Sequence, residues 1–336
     1  MNIAVIAFTR SGLQLGRQIQ RLLSGESVTL AAGTGPDKVS LRHWVEEHFY
    51  ADEALVFIGA TGIAVRAIAP HLKSKTTDPA VLVLDDKGRF CISLVSGHLG
   101  GANELARRLA AALDAVPVIT TATDNHGVFA IDTWAKGQNL SIVNPEAIKL
   151  VSSRLLAGET IRLASDFPIT GAVPDGVLLV RDKPYDVAVT LKPRMARDTL
   201  YLVPKIAAVG VGCRKGIAPE PLEEAYEMLL KKGGVDPRAV MGFYSIDMKK
   251  DEPGLLQFCE NHGLSLTTYS AAELNAVKGN FSASAFVQKT TGTDNVCERS
   301  AVLGSGGGKL NLKKNAGNGV TMAMALRDIA ITFDPQ

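Results

Sequence analysis

The best candidate for chemistry in this sequence is a histidine inside a glycine-rich loop. The loop is SGHLGG, residues 96–101, and it joins an apolar segment to a helical pattern that begins at Ala102. Glycines free the backbone to expose several N–H groups at a helix N-terminus, which favours binding of a carboxylate, a phosphate or an oxyanion. His98 would lie beside the bound group and could transfer protons near neutral pH. The alternative is a tight turn in which His98 only hydrogen-bonds a neighbour.

A second group of polar residues ends a short apolar segment at VITTATDNHG, residues 118–127. In a parallel sheet, polar residues at the carboxyl end of a strand face the ligand-binding crevice. Asp124 is therefore expected to orient His98 or to activate a water molecule. The alternative is an Asx-turn that only closes the loop.

Two more glycine-containing loops follow apolar segments. In FIGATGIAVRAIAP, Gly59 and Gly62 bracket a turn, and Arg66 is expected to reach an anionic ligand. The alternative, equally supported, is that close packing of the strand and helix requires small residues. In VGVGCRKG, the G-x-G-x-x-x-G spacing is one residue too long for a dinucleotide fingerprint. Arg214 and Lys215 fit a carboxylate-binding loop better.

The segment TGTDNVCERSA places several polar residues at an expected helix start. One interpretation is a helix cap, in which Asn295 precedes Glu298 by three residues. The other is a polar cluster around Asp294 that faces the same ligand as Cys213.

The elements that position these loops follow a repeated pattern. Four times, a short apolar run meets a glycine-containing loop and then an amphipathic helical pattern, which is typical of buried parallel strands in an α/β protein. After Trp134 the pattern changes to one helix and several short strand-like runs, and it resumes at Lys205. The sequence thus predicts two parallel-sheet α/β domains, residues 1–134 and 205–336, joined by a small linker domain of mostly β or α+β structure, residues 135–204.

Composition narrows the function classes. Of the 336 residues, 46% are hydrophobic and 21% are charged, which is typical of a folded globular protein. With 36 basic and 34 acidic residues, neither nucleic acid nor an anionic membrane is an expected partner. The first residues lack the pattern of a signal peptide, and the four cysteines contain no C-x-x-C pair. We expect a cytoplasmic protein with no protein-bound metal.

Five segments together resemble the cobalt-precorrin-5A hydrolase family of anaerobic cobalamin biosynthesis. They are GATGIAVRAIAP, VLDDKGRFCISLVSGHLGGANELA, PVITTATD, VGVGCRKG and TGTDNVCERSA, in this order along nearly the whole chain. The resemblance implies an enzyme that opens the δ-lactone of a cobalt-containing tetrapyrrole and releases acetaldehyde to give cobalt-precorrin-5B. It implies no cofactor, since the cobalt belongs to the substrate. Other enzymes of that pathway are possible partners, and the oligomeric state is left open.

Lactone opening requires a base or acid, oxyanion donors and groups that bind the substrate's carboxylates. Under this resemblance His98 would be the general base or acid, Asp124 its orienter, and the N–H groups of residues 97–101 the oxyanion donors. Basic loop residues would line a cleft between the two α/β domains. The candidate catalytic residues are His98, Asp124 and Glu104. The candidate substrate-binding residues are Gly59, Thr61, Gly62, Arg66, Arg89, Ser96, Gly97, Gly100, Gly101, Asn103, Thr121, Gly212, Cys213, Arg214, Lys215 and Asp294.

Two other functions remain open at this point. One is a non-catalytic tetrapyrrole carrier of the same pathway, which needs the basic loops but no proton-transfer group. The other is a sugar-phosphate or nucleotide enzyme that uses the glycine-rich loops, and it would bind a phosphorylated ligand and ignore corrinoids.

Overall fold

Apolar strands alternate with amphipathic helices along most of the chain, which confirms the predicted α/β class. The computed structural model describes residues 1–74, 77–194 and 196–334. It divides into two compact units, one of residues 1–133 and 155–158, the other of residues 134–154 and 159–336. The second unit contains two separate five-stranded sheets. The division of this unit into a central and a C-terminal domain stays a prediction.

The first unit is built on one six-stranded sheet. Its strands are β1 (Asn2–Ala7), β2 (Ser27–Ala32), β3 (Ala54–Ile58), β4 (Ala80–Leu84), β5 (Phe90–Val95) and β6 (Val116–Val118). Its helices are α1 (Arg10–Leu22), α2 (Leu41–His48), α3 (Thr61–Ile68), α4 (Ala102–Leu113) and α5 (Ala122–His126), with a 3-10 turn at Ala69–His71. Helix α6 (Ile131–Gly137) begins in this unit and ends in the second.

Both faces of this sheet are covered by helices. On one face, buried side chains of β1, β3 and β4 pack with α1 and α4, where Leu105 and Leu109 form an apolar stripe. On the other face, Trp44 of α2 and Ile68 of α3 pack against Phe57. Burial on both faces explains why the strands are continuously apolar.

The strand directions of this sheet are mixed, and this decides where the loops lie. The order is β2-β1-β3-β4-β5-β6, with the first four strands parallel. β5 is antiparallel to β4, so that Val95 pairs with Val81, and β6 is parallel to β5. The loops after β5 and β6 therefore lie at the edge where β4 begins. The loops after β1 and β3 lie at the opposite edge, about 16 Å away along a five-residue strand.

The second unit begins with a sheet of short strands. Its elements are β7 (Leu140–Ile142), α7 (Glu146–Leu156), β8 (Ile161–Ser165), β9 (Ile169–Thr170), β10 (Val177–Leu179), β11 (Val187–Val189) and β12 (Leu200–Pro204). The sheet order is β10-β8-β11-β12-β7, and only the β12–β7 pair is antiparallel among the described residues. The single helix and several short strands match the pattern predicted for this segment.

The last sheet combines parallel strands with a terminal hairpin. Its strands are β13 (Ala207–Cys213), β14 (Val240–Ile246), β15 (Leu266–Tyr269), β16 (Lys309–Gly317) and β17 (Val320–Leu326), in the order β15-β14-β13-β17-β16. The remaining elements are the helices α8 (Pro219–Gly233), α9 (Pro253–Asn261), α10 (Ala271–Ala276), α11 (Ala285–Thr291) and α12 (Cys297–Gly304), 3-10 turns at Pro237–Ala239 and Asp247–Lys249, and the strand β18 (Ile331–Thr332), which pairs with β9.

Helix α12 packs very close to β13 because of one glycine. A Cβ atom on Gly210 would lie 1.8 Å from the carbonyl oxygen of Cys297, so no other residue fits there. This contact places the start of α12 beside the middle of β13. No helix in residues 1–74, 77–194 and 196–334 is long and apolar enough to cross a bilayer.

Candidate functional site

The glycine-rich loop folds tightly over the start of α4. The N–H groups of Gly101, Ala102 and Asn103 donate to the carbonyls of His98, Ser96 and Gly97, at 2.9, 3.1 and 2.9 Å. A Cβ atom on Gly100 would lie 2.3 Å from the Cβ of Ser96, and Gly101 has a φ of 87°. The loop therefore needs its glycines to close on itself, and this closure fixes the position of His98.

His98 lies between two carboxylates. Its Nε2 lies 2.7 Å from Oδ2 of Asp124, and its Nδ1 lies 3.2 Å from Oδ2 of Asp132. The hydroxyl of Thr123 is 3.1 Å from the same Nε2. The side chain of His98 is 17% exposed, so this contact is only partly accessible to water. The structure thus brings the predicted pair His98 and Asp124 together and adds Asp132.

Helix α4 supplies a second set of contacts to Asp124. The amide of Asn103 donates to Asp124 at 2.9 Å and to the hydroxyl of Thr121 at 3.0 Å, and it accepts from Ser93 at 2.7 Å. Thr121 and Arg107 also donate to the carboxylate of Asp124. Asp124 is therefore held by four side chains, counting His98. Asp124 lies in the short helix α5, where the alternative interpretation placed an Asx-turn.

The two carboxylates determine the charge of His98. Its hydrogen bond to Asp132, followed by that to Asp124, raises the pKa of His98 to about 9, although burial opposes this. Burial would raise the pKa of Asp124, but hydrogen bonds from Thr121, His98 and Arg107 lower it to about 2. Burial likewise opposes ionisation of Asp132, yet His98 lowers the pKa of that carboxyl. At neutral pH the group is an imidazolium between two carboxylates.

This charge state limits the chemistry of the site. A protonated imidazole donates protons and stabilises negative charge, and it accepts no proton until it has given one away. A carboxylate with a pKa of about 2 is a weak base at neutral pH. The site supports an acid role for His98 in its resting state. It does not support a resting general base at His98 or Asp124.

Not every N–H group of residues 97–101 is free to bind an oxyanion, as the prediction required. The N–H of Gly101 is already used by the carbonyl of His98. Those of Gly97 and Gly100 have no hydrogen-bond acceptor in the part of the chain that the structure describes. The N–H groups of Gly97, His98 and Gly100 thus remain candidate donors for an oxyanion beside the His98 side chain.

Glu104 and three nearby candidates occupy different surroundings. The carboxylate of Glu104 points to solvent from α4 and lies 3.9 Å from Arg107, and its catalytic role stays a prediction. The hydroxyl of Ser96 donates to the Asp78 carbonyl at 2.9 Å, at the edge where β4 begins. Asn103 and Thr121 belong to the network around Asp124.

The loop after β3 does not lie beside His98. The N–H of Gly59 donates to the carbonyl of Leu84 at 2.8 Å, at the opposite edge of the sheet. Thr61 and Gly62 begin α3 at that edge. The guanidinium of Arg66 folds back and donates to the carbonyl of Gly62 at 3.1 Å, so it does not extend towards the His98 loop as a ligand-binding group. Packing requirements account for Gly59, because a Cβ atom there would lie 2.8 Å from the ring of Phe8.

Arg89 also lies at the opposite edge. It follows the β4–β5 turn, and its Nε pairs with Asp85 at 3.2 Å. The antiparallel direction of β5 separates Arg89 from residues 96–101 by the length of the strand. The sequence predicted a parallel sheet throughout this unit, and the hairpin is the reason the candidate residues divide between two edges.

The second unit has a large cavity at the edge where β13 and β14 end. Its volume is about 1220 Å³, larger than most small-molecule pockets. Four predicted binding residues line it, namely Gly212, Cys213, Arg214 and Lys215. Other walls come from Met248 of the Asp247–Lys249 turn, from Phe286 of α11, and from the β16–β17 hairpin, including Lys314.

The cysteines of this cavity are not activated. Burial raises the pKa of Cys213 and that of Cys297 to about 11, so both are neutral thiols at neutral pH. Asn295 also lines the cavity, and its side chain accepts the N–H of Glu298 at 2.8 Å, as predicted for a helix cap. The carboxylate of Glu298 accepts from Ser282 instead of completing a capping box. Asp294 lies outside the cavity wall and pairs with Arg299 at 2.8 Å instead, so this predicted binding residue has a structural partner.

Sequence reasoning missed several residues. Asp132 follows the apolar run VFAI at the start of α6, and a lone carboxylate after such a run was the available signal. Arg107 was not among the predicted site residues. Phe286, Met248 and Lys314 lie far apart in the chain, and no local pattern connects them.

Comparisons with known proteins identify relatives across the chain. The family model described as cobalamin synthesis G N-terminal matches residues 43–124, and that described as cobalamin synthesis G C-terminus matches residues 207–325. A cobalt-precorrin-5A hydrolase from Priestia megaterium is 33% identical, with 96% of this chain and 94% of the relative covered. One from Salmonella typhimurium is 34% identical, with 91% and 92% covered.

A solved structure gives a weaker likeness. It is a cobalamin biosynthesis protein G homolog from Sulfolobus solfataricus, with 24% identity, a TM-score of 0.43, and 97% of each chain covered.

Proposed function

Because this chain belongs to the cobalamin synthesis G family, we propose that it is a cobalt-precorrin-5A hydrolase that opens the substrate's δ-lactone and releases acetaldehyde. The observation that carries the proposal is the identity of 33% and 34% to two curated hydrolases over more than nine-tenths of each chain. The cobalt enters with the tetrapyrrole as part of the substrate.

The proposed reaction has two balanced steps. Water adds to the lactone carbonyl and loses its two protons to solvent, the lactone C–O bond breaks, and the departing oxygen takes a proton from His98. The products are a carboxylate, a hydroxyl on the two-carbon fragment and a neutral imidazole. That hydroxyl then loses its proton as the carbon–carbon bond to the macrocycle breaks. The oxygen forms the carbonyl of acetaldehyde, and the electron pair of the broken bond stays on the macrocycle.

His98 is suited to act in both steps. In the first, the imidazolium donates its proton to the alkoxide that leaves the carbonyl, a far stronger base than an imidazole of pKa about 9. In the second, the neutral imidazole takes the hydroxyl proton back, because the two carboxylates favour its charged form. Gly97 and Gly100 offer N–H donors to the oxyanion.

Asp124 and Asp132 are positioning residues in this scheme. They contact His98 on opposite ring nitrogens and thereby fix the orientation of the ring and its affinity for a proton. One of these contacts must open when His98 approaches the substrate. The contact at Nε2 is the better candidate, since Asp124 keeps Thr121, Asn103 and Arg107 as partners after His98 leaves.

Acetaldehyde release from cobalt-precorrin-5A tests the proposal, measured with an alcohol dehydrogenase and NADH. We expect wild type to release acetaldehyde and His98→Ala to lose at least about 100-fold in kcat. The matched control is His126→Ala, an exposed histidine at the end of α5, which should keep wild-type kcat.

Three results separate the alternatives. If wild type binds the substrate but releases no acetaldehyde, the chain is a carrier and the proposed function is wrong. If His98→Ala retains full activity, the enzyme stands and the assignment of His98 fails. If only phosphorylated ligands bind, neither corrinoid function holds.

A further inference from the structure

The cavity of the second unit is shaped for a wide ligand. It lies at the edge where β13 and β14 end, with α12 on one side and the β16–β17 hairpin on another. Its volume of about 1220 Å³ exceeds the range of about 300–1,000 Å³ that most small-molecule sites occupy. A nucleotide or sugar phosphate would leave much of it empty.

Two apolar side chains are exposed at this cavity. Phe286 on α11 is 78% exposed and Met248 is 63% exposed, the two highest values for large hydrophobic side chains in the described chain. They come from different walls, and Ile246, Val287 and Val296 continue the apolar surface inside. Exposed apolar surface around a pocket indicates contact with an apolar ligand face.

The charged side chains of the cavity are unequally paired. Lys249 binds Glu252 at 2.9 Å, and Glu252 also accepts the N–H of Gly216. Arg214, Lys215 and Lys314 have no carboxylate partner within 4.0 Å in the described residues. Cations left unpaired at a pocket are suited to bind carboxylates of a ligand. Asp251 adds one negative charge to the same wall, so the cationic groups remain in excess.

We propose that this cavity binds the corrinoid macrocycle, with Phe286 and Met248 against an apolar face of the ring and with Lys215, Lys314 and Arg214 pairing its peripheral carboxylates. The inference rests on the proposed function, since it names where that substrate binds. A flat ring with carboxylates at its edge is the chemical class that uses an apolar rim and unpaired cations together. The neutral thiols of Cys213 and Cys297 then serve as wall and not as nucleophiles.

Binding of two stable probes to the full chain tests this inference. Cobyrinic acid is a cobalt corrinoid with free carboxylates, and its heptamethyl ester is the same ring without the charges. Both absorb visible light, so Kd is measured by equilibrium dialysis. We expect wild type to bind the acid more tightly than the ester, with an advantage that falls at high salt.

Two double variants separate the ionic and apolar contributions. The double variant Lys215→Gln with Lys314→Gln should bind the acid about 100-fold more weakly, roughly tenfold for each lost charge-assisted contact. Its Kd for the ester should be unchanged. The double variant Met248→Ser with Phe286→Ser should bind both probes about tenfold more weakly. The controls are Lys313→Gln, an exposed neighbour of Lys314 outside the cavity wall, and Met228→Ser, an exposed methionine of α8. Both should bind as wild type does.

The outcomes distinguish this inference from the proposed function. Unchanged Kd values for both double variants, or no binding of either probe by wild type, would overturn the cavity assignment whatever the enzyme assay shows. Loss of binding in the double variants, in a protein that releases no acetaldehyde, would support the cavity and refute the hydrolase. Thermal unfolding of each variant confirms that the side chains, and not the fold, were changed.

Discussion

The His98 network and the cavity of the second unit differ in whether their charged side chains are paired. Around His98, the charged groups lie in contact with each other, with Asp124 and Asp132 on the two ring nitrogens and Arg107 on Asp124. In the cavity, Arg214, Lys215 and Lys314 have no carboxylate partner in the part of the chain that the structure describes.

This difference separates two uses of polar side chains. A charge that is paired and partly buried is held in place, and its pKa shifts because the pairing favours one protonation state. A charge that is unpaired and hydrated contributes little to folding and remains free to bind a ligand. We infer that the first region is organised before substrate arrives and that the second is completed by the substrate.

The largest effect that tests this difference between the two regions is expected at Asp132. Replacing it with alanine leaves the imidazolium with one carboxylate and should lower the free energy of unfolding by about 3 kcal/mol. Urea denaturation measures this, with Asp37→Ala as the control because Asp37 is exposed and outside the network. If both variants lose equally little, the pairing around His98 does not organise the region.

The pH dependence of stability gives the next largest effect. The pKa of His98 is raised from 6.5 to about 9, so the folded state binds the proton more tightly than the unfolded state does. The resulting stabilisation is fully present below pH 6.5 and is lost as the pH rises through 9. With His98 partly exposed, we expect a loss of about 2 kcal/mol across this window.

Subtraction of a His98→Gln curve isolates this contribution. The pKa of the N-terminal amine is also raised, by its hydrogen bond to Glu26, and this contribution is present in both proteins. The difference between the two unfolding curves should therefore follow His98 alone. A difference that grows with pH, or none at all, would contradict an imidazolium held by Asp124 and Asp132.

Local patterns predicted much of the first region. Three of the four predicted strand–loop–helix junctions lie in the first unit, and they and the closeness of His98 and Asp124 follow from nearby residues. The family resemblance, based on five ordered segments, is confirmed by the comparisons. Strand direction was not predictable in the same way, because the turn at Asp85 to Gly88 reverses the chain between two apolar strands that look alike in sequence.

The cavity was predictable only in part. The Cys213–Lys215 loop was recognisable because basic residues follow a strand, but its partners Met248, Phe286 and Lys314 come from separate segments. Nothing in the sequence near Phe286 shows that it stays exposed in the fold. The ion pair of Asp294 with Arg299 is the opposite case. The polar segment around Asp294 was consistent with ligand binding, but Asp294 pairs with a side chain of the helix that follows it.

The smallest expected effect sharpens the comparison most directly. Lys314→Gln removes a charge that has no carboxylate partner in the described chain, so the free energy of unfolding should change by less than about 0.5 kcal/mol. Any change should be a slight stabilisation at low salt, because repulsion from Arg214 and Lys215 is reduced. Urea denaturation at low and high salt measures it. A marked loss of stability would mean that Lys314 has a partner within the protein, and its charge would then not be reserved for a ligand.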